Sequence, residues 1–542
     1  MVFRKGWRRL KVALTRLPAR KPERSPACYY RDLALGDPEQ GMRLVAGQFR
    51  YGGQLWQMPD PGVPGSWERA WPEEVTRWLY GFGWLRDLRA LGTNEARLTA
   101  RTLVCAWLAA SWQDSRLLAM AQEAGIMGER LSNWLGHYEF CLLTAVEETQ
   151  VAVMEAMVRE GRLLAALLPL EPQGWQGLAA LRGLLAAFMA QPEHKGFFQR
   201  FQRYLERELK RVFQADGTVA ERSPEAQFQA VRELVSFLLM FNALQLAPPP
   251  VIVSLLARAC AVLRALCHGD GALALFNGSQ ERASAEVEAL LARAERYHVI
   301  TPTLPQGGFV RLTLGRALLL VDGAPPPVSG HDRHAHAGTL SFEFSWGGQR
   351  LLVNCGSAGS AGLRQALRAS PAHNVLVAEG ESSSEFGPGG GIIRRPAHVT
   401  CAHRSTADAH WLDLSHDGYH PSYGAIWKRH LYLGEEGGDL RGREVVEGER
   451  DLNFVVRFHV HPDVKVIQED QDIILQAPES IWRFCQSGGA LRVEQDLYAG
   501  RGSPEASTQI VIRSRPGQSF DVQDGPARRR QRISWKLERL PE

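Results

Sequence analysis

Three histidines stand close together at His331, His334 and His336, and another lies downstream at His373. The first three precede an alternating run, Thr339-Leu340-Ser341-Phe342-Glu343-Phe344, whose period of two predicts a β-strand. Residues two apart on a strand face the same way, so His334 and His336 are expected to converge on one pocket. His373 follows a further strand candidate, Arg350-Leu351-Leu352-Val353-Asn354, and would enter from a neighbouring strand. Two imidazoles from one strand and a third from the next suit either a metal site or a proton-transfer site. A His-rich turn that is only polar surface is the bland alternative.

These residues need a scaffold, and the chain supplies two kinds. From about 72 to 297 apolar residues recur every three or four positions, as at 73–91, 95–112, 114–123, 130–160, 177–189, 197–213, 223–242, 250–266 and 282–293. Short Gly-, Pro- or Asp-containing breaks separate these segments, so consecutive helices must bury their faces against their neighbours. No strict period of 20–50 residues is visible, which favours an incomplete α/α toroid over a solenoid. After about 299 the period becomes two, and short strands rich in Val, Leu, Phe and Trp run to 514 between Gly-bearing turns. That pattern predicts stacked antiparallel sheets. The expected fold is therefore α+β and multidomain: a basic lead-in over 1–71, a toroid over 72–298 and an antiparallel β-sandwich over 299–542. Gly387-Pro388-Gly389-Gly390-Gly391 reads as a loop of the sort that borders a cleft.

Composition narrows the class. With 45% hydrophobic and 23% charged residues among 542, the chain reads as globular. A net charge of +4 gives no case for nucleic acid but leaves room for a local basic cleft that takes an acidic substrate. Residues 1–24 hold nine Arg and Lys against a single acid, Glu23, and read as a solvated tail or a short helix on an anionic surface. Basic residues interrupt any secretory signal there, and no window reaches the roughly 18 to 20 apolar residues of a membrane span. The eight cysteines are far apart with no CxxC pair, as buried free thiols would be. Most of the fifteen Trp lie on apolar helical stripes and read as core, while any facing a groove would offer stacking platforms for sugar rings.

A helical first half, a β second half and the run His334-Ala335-His336-Ala337-Gly338-Thr339-Leu340-Ser341-Phe342-Glu343 resemble the heparinase II/III-like polysaccharide lyases. Leu351-Leu352-Val353-Asn354-Cys355-Gly356 is similar to the family's Leu-Leu-Val-Asp-x-Gly, and Ala372-His373-Asn374-Val375 to its Ala-His-Asn-Thr. The resemblance implies β-elimination on a uronic-acid polysaccharide: neutralise the carboxylate, remove the C5 proton and protonate the departing C4 oxygen. It makes His334 the proton-transferring imidazole. It makes His336, Asn354 and His373 the ligands of a structural zinc, although Asn354 stands where the family has Asp and a neutral carboxamide is a poor zinc ligand. Gly338 replaces an Asp that could orient these side chains.

The loop Asp216-Gly217…Glu221-Arg222-Ser223-Pro224-Glu225-Ala226 resembles the family's Asp-Gly…Glu-x-Ser-Pro-x-Tyr, with Ala226 in place of the proton-exchanging Tyr. Tyr419 or Tyr423, in Asp417-Gly418-Tyr419-His420-Pro421-Ser422-Tyr423, could substitute if an Arg lowered the phenol pKa; equally, both could stack on sugar or cap the sheet. His459 and His461 alternate on a strand and read as structural.

Two readings follow. One is a carbon–oxygen lyase on an acidic polysaccharide or oligosaccharide, carried by His334. The other is a non-catalytic polysaccharide-binding or exopolysaccharide-associated protein on the same scaffold. A metal-dependent hydrolase using His334, His336 and His373 is a weaker third, since only Asp332 supplies a carboxylate nearby. Relatives commonly work in the cell envelope or periplasm, whereas the basic start points to the cytoplasm or its membrane face. Substrate identity and oligomeric state are not legible.

Overall fold

A computed structural model describes residues 23–541 apart from 32–34, 64, 70, 172–173, 295–302, 305, 359–360, 516–518 and 522–528. The basic segment at the N-terminus falls almost wholly outside the described residues, as does the helix-to-strand change expected at 298/299. The chain divides into two compact units, one of residues 1–212 with 229–256, the other of 213–228 with 257–542.

The first unit is helical. The helix Trp175–Ala190 is buried on nearly every side, because Leu, Ala, Gly and Met occupy its whole circumference. It crosses Ala124–Gly136 at two glycines: a Cβ on Gly183 would lie 2.4 Å from Gly128 Cα, and one on Gly128 would lie 2.1 Å from Ala179 O. The backbones meet there with no room for a side chain. Buried charges are paired, Arg182 with Glu233 at 2.7 Å and Arg130 with Glu160 at 2.9 Å. The tryptophans read as core are core: Trp84 and Trp134 are fully buried, and Trp107 stacks its edge against Trp67 and Tyr80.

Two helices expected from periodicity are broken. The segment 73–91 is Glu73–Gly81 and Leu85–Leu91, parted at Phe82, which takes φ +60 between two glycines. The segment 130–160 is divided among Ala124–Gly136, Tyr138–Cys141 and Glu147–Leu167.

Among the described residues, the second unit holds two nine-stranded antiparallel sheets. One runs Val399–Ser405, His410–His416, Ile426–Gly434, Asp439–Gly448, Arg529–Arg539, Ser480–Ser487, Asp472–Ala477 and Lys465–Glu469, with Ser519–Asp521 beside Arg529–Arg539. The other runs Gly489–Tyr498, Glu505–Ser514, Phe454–Val460, Gln349–Val353, Phe342–Trp346, Ala317–Asp322, Phe309–Leu314 and Thr303–Leu304, with Leu376–Ala378 beside Phe454–Val460. Their inner faces meet in an aromatic core, where Phe342 stacks on Trp535 at 5.7 Å and 10°. Arg429, buried between the sheets, pairs with Glu444 at 2.9 Å, and Trp427 and Trp535 also donate to that carboxylate. Its other arm donates to Leu340 O at 2.7 Å and Asn374 O at 2.6 Å, fastening the two backbone segments that carry the histidines.

All eight cysteines are free. Four are buried as expected, whereas Cys401 lies exposed on an edge strand.

Candidate functional site

The His-rich run is not a strand. Residues 331–341 form successive turns, Leu340 adopts φ +66, and the strand begins only at Phe342. The period-two expectation for His334 and His336 therefore fails: His334 is exposed, while His336 is buried. The turn is held from several directions. Asn277 Oδ1 accepts the His336 N–H at 3.0 Å, and Arg368 donates to Ala335 O at 2.9 Å. Asp332 accepts from Ile392 N at 3.0 Å and pairs with Arg395. Arg368 also donates to Gly390 O at 2.6 Å, so the glycine-rich loop 387–391 does border this site.

His336 and His373 are neighbours, their ring centroids 5.1 Å apart. Gly338 makes room for this, since a Cβ there would sit 3.1 Å from the His373 ring. Burial drives the His373 pKa down to about 3, with the charge of His459 adding to the effect. Burial likewise holds His336 well below its usual value, helped by His373, Arg368 and His334. Both rings are neutral at neutral pH. Nδ1 of His336 is buried without a hydrogen-bond partner among the described residues.

Asn354 is fully buried and its carboxamide is already engaged. Its Nδ2 donates to Glu343 Oε1 at 3.2 Å, and its Oδ1 accepts from Asn374 N at 3.2 Å. Glu343 also accepts from Asn354 N, Leu275 N and His268 Nε2. Asn374 donates to Phe342 O and Val353 O and accepts the His459 N–H. Glu343, Asn354 and Asn374 are thus a buried polar spine that ties four segments together. The zinc that the resemblance implies does not fit here. The predicted set offers two neutral imidazoles and a committed amide, with no anionic donor, whereas zinc favours thiolate, imidazole and carboxylate. Among the described residues, a trio with metal-compatible spacing lies elsewhere, at Cys355, His459 and Asp496. The sequence reading treated His459 as structural and assigned no role to Cys355 or Asp496; their separation in the chain left no spacing signal.

Neither substitute phenol is freed for proton transfer. Tyr419 is buried, its OH donates to Leu376 O at 2.7 Å, and burial pushes its pKa well up. Tyr423 is half-buried; burial and then the Glu381 carboxylate raise its phenol, outweighing Arg450, which lies 5.7 Å from the ring. The expected lowering by an arginine is therefore reversed. Ala226 is itself buried, in the first turn of the helix Pro224–Ala243, whose lead-in is anchored by Arg222 to Asp322 and to Gly307 O.

A concavity of about 840 Å³ lies on the sheet that holds His410–His416, Ile426–Gly434, Asp439–Gly448, Ser480–Ser487 and Arg529–Arg539. Trp411 and Tyr432 pair there with centroids 5.5 Å apart, and Arg441, Arg443 and Lys536 line it. Arg441 and Lys536 are engaged by Asp439 and Glu538, whereas Arg443 has no ion-pair partner among the described residues.

Residues 300–536 match the family model described as heparinase II/III-like, C-terminal. Over these residues the chain is similar to a heparinase II/III-like C-terminal domain. A crystal structure of heparinase III superposes with TM-score 0.74 at 12% identity, covering 98% of this chain and 89% of that one. The Streptomyces coelicolor A3 chondroitin AC lyase, solved in complex with chondroitin sulphate, does so with TM-score 0.57 at 10% identity, covering 99% and 83%. These likenesses bear out an incomplete α/α toroid followed by an antiparallel β-sandwich. In sequence the chain is 25% identical to FtsZ-localized protein C of Caulobacter vibrioides, over 99% of this chain and 93% of that protein. Among the described residues no helix is long and apolar enough to cross a membrane.

Proposed function

We propose that this chain binds acidic polysaccharide on a lyase-like scaffold and catalyses little or no β-elimination. The observation that carries this reading is Ala226 at the family's phenol position. Elimination needs a base at the C5 proton and an acid at the leaving oxygen. Ala226 has no proton to exchange, and the Tyr419 phenol is committed to Leu376 O in the core, so neither position supplies a free phenol. The groove with Trp411, Tyr432 and Arg443 supplies what binding requires: aromatic faces for pyranose rings and a cation for a uronate. Similarity along nearly the whole chain to a protein named for its localisation with FtsZ, rather than for a reaction, supports a binding role.

Affinity electrophoresis of the full chain through gels containing uronate polymers tests it. Retardation is expected, and Trp411→Ala or Arg443→Ala should weaken it about tenfold, equivalent to about 1.4 kcal/mol. No ultraviolet absorbance of unsaturated uronate should accumulate.

The lyase reading keeps one specific support. His334 is exposed beside Arg333, with two neutral imidazoles on its turn or against it. Turnover of a uronate polymer that His334→Ala abolishes would establish it and overturn the binding-only proposal.

A further inference from the structure

We propose that Cys355, His459 and Asp496 form a transition-metal site, with zinc the ion their donors suit. All three converge on one point. His459 Nδ1 lies 3.3 Å from Cys355 Sγ and 2.6 Å from Asp496 Oδ2, and the sulfur and that oxygen are 3.8 Å apart. Without an ion the Nδ1 proton and the thiol proton both go to Asp496 Oδ2, which leaves the sulfur and the ring nitrogen in contact with no bond between them. An ion at their centre satisfies all three at once.

The dimensions fit. With bonds of about 2.0–2.3 Å to N, O and S, tetrahedral zinc sets its ligand atoms about 3.4–3.6 Å apart. The two edges to sulfur already bracket that value. Only the N···O edge has to open, by about 0.8 Å, which a turn of the Asp496 carboxylate supplies. Thiolate, imidazole and carboxylate together are the donor set that selects zinc over calcium or magnesium. Three protein ligands leave the fourth position to water.

The backbones bearing the ligands are held by the sheet. Cys355 N donates to Ala372 O at 3.1 Å, and its carbonyl accepts from Ala499 N at 2.8 Å. His459 pairs with Val353 on one side and Gln509 on the other, and Asp496 pairs with Ser507 on the next strand. Apolar side chains, Leu367, Ala372 and Ala499, pack around the thiol, while Asp496 is part-exposed and gives a route in. Nε2 of His459 has no partner among the described residues, so contacts at Nδ1 alone set its tautomer. On binding, the thiol proton leaves to solvent and the imidazole proton resides on Nε2, freeing the Nδ1 lone pair for the ion. This trio is separate from His336, Asn354 and His373, and it does not depend on polysaccharide binding.

The test uses the full-length protein. Elemental analysis after purification should find about one zinc per chain. After chelation, cobalt(II) should restore an intense sulfur-to-metal absorption in the near ultraviolet together with tetrahedral bands in the visible. Cys355→Ser should lose the sulfur band while keeping wild-type circular dichroism. Asp496→Asn, which retains Cys355 and the size of the side chain, should weaken zinc against a chromophoric chelator by more than the roughly 10- to 100-fold that outer partners are worth. A wild-type protein that takes up no stoichiometric metal, or a sulfur band that persists in folded Cys355→Ser, overturns the proposal. Should Cys355→Ser fail to fold, the Asp496→Asn affinity decides, and an unchanged affinity overturns it.

Discussion

A carboxamide at Asn354 changes what its neighbours can do. Glu343 Oε1 receives two hydrogen bonds from this one residue, from its backbone N–H at 2.8 Å and from Nδ2 at 3.2 Å. Asn354→Asp, which restores the family's residue, would face one buried carboxylate with another about 3 Å away. We expect it to lose about 3 kcal/mol at neutral pH, the scale of an uncompensated buried charge. The loss should shrink on acidification, because a proton taken up by either carboxyl removes the repulsion. Urea midpoints of wild type and variant at pH 8 and pH 5 would show the gap narrowing; a constant gap would exclude electrostatic repulsion as its cause. Glu343, Asn354 and Asn374 stood in runs similar to the family's motifs, but Asn354 was read there as a metal ligand; the hydrogen bonds that commit its carboxamide join separate segments and exist only in the folded chain.

At the scale of elements, periodicity located the helices and strands but misjudged their ends. Thr339–Ser341 alternates like a strand, yet the positive φ of Leu340 and the contacts of Arg429 hold it as a turn. The strand Arg529–Arg539, central in its sheet, escaped notice because Arg, Gln, Lys and Glu crowd it. Its apolar signal is only Ile533, Trp535 and Leu537, all buried on one face. Among helices, the close crossing of Trp175–Ala190 with Ala124–Gly136 depends on absent side chains. Gly128→Ala places a methyl 2.1 Å from Ala179 O, which is backbone and cannot swing aside. We expect a loss of about 1–3 kcal/mol, despite the better helix propensity of alanine. A thermal midpoint at or above that of wild type would show that the helices can separate without cost.

For the molecule as a whole, acid stability follows from histidines folded in the neutral state. Burial depresses His416 to about 4, and its Nδ1 accepts the Gly418 N–H at 3.0 Å. The unfolded chain binds that proton from about pH 6.5 downward, whereas the folded chain does so only near 4. The contribution of neutral His416 is therefore complete above pH 6.5. It falls away as pH drops to 4, by about 3 kcal/mol in total. His416→Asn, whose Oδ1 can accept the same N–H, should flatten stability across that window. Denaturant titrations from pH 7 to 4 would reveal this, and a slope equal to that of wild type would assign the acid sensitivity to other groups.

What the chain's linear order determined is what local periodicity encodes: a helical stretch, a switch to period two, and short runs matching a known family. Side-chain spacing along a helix or strand is a local property, so it survives without knowledge of the fold. The burial of His336 beside the exposed His334, the engagement of the Tyr419 phenol and the meeting of Cys355 with His459 and Asp496 were decided only in three dimensions. Each depends on residues brought from distant strands, and desolvation and donor geometry exist only once those strands have packed.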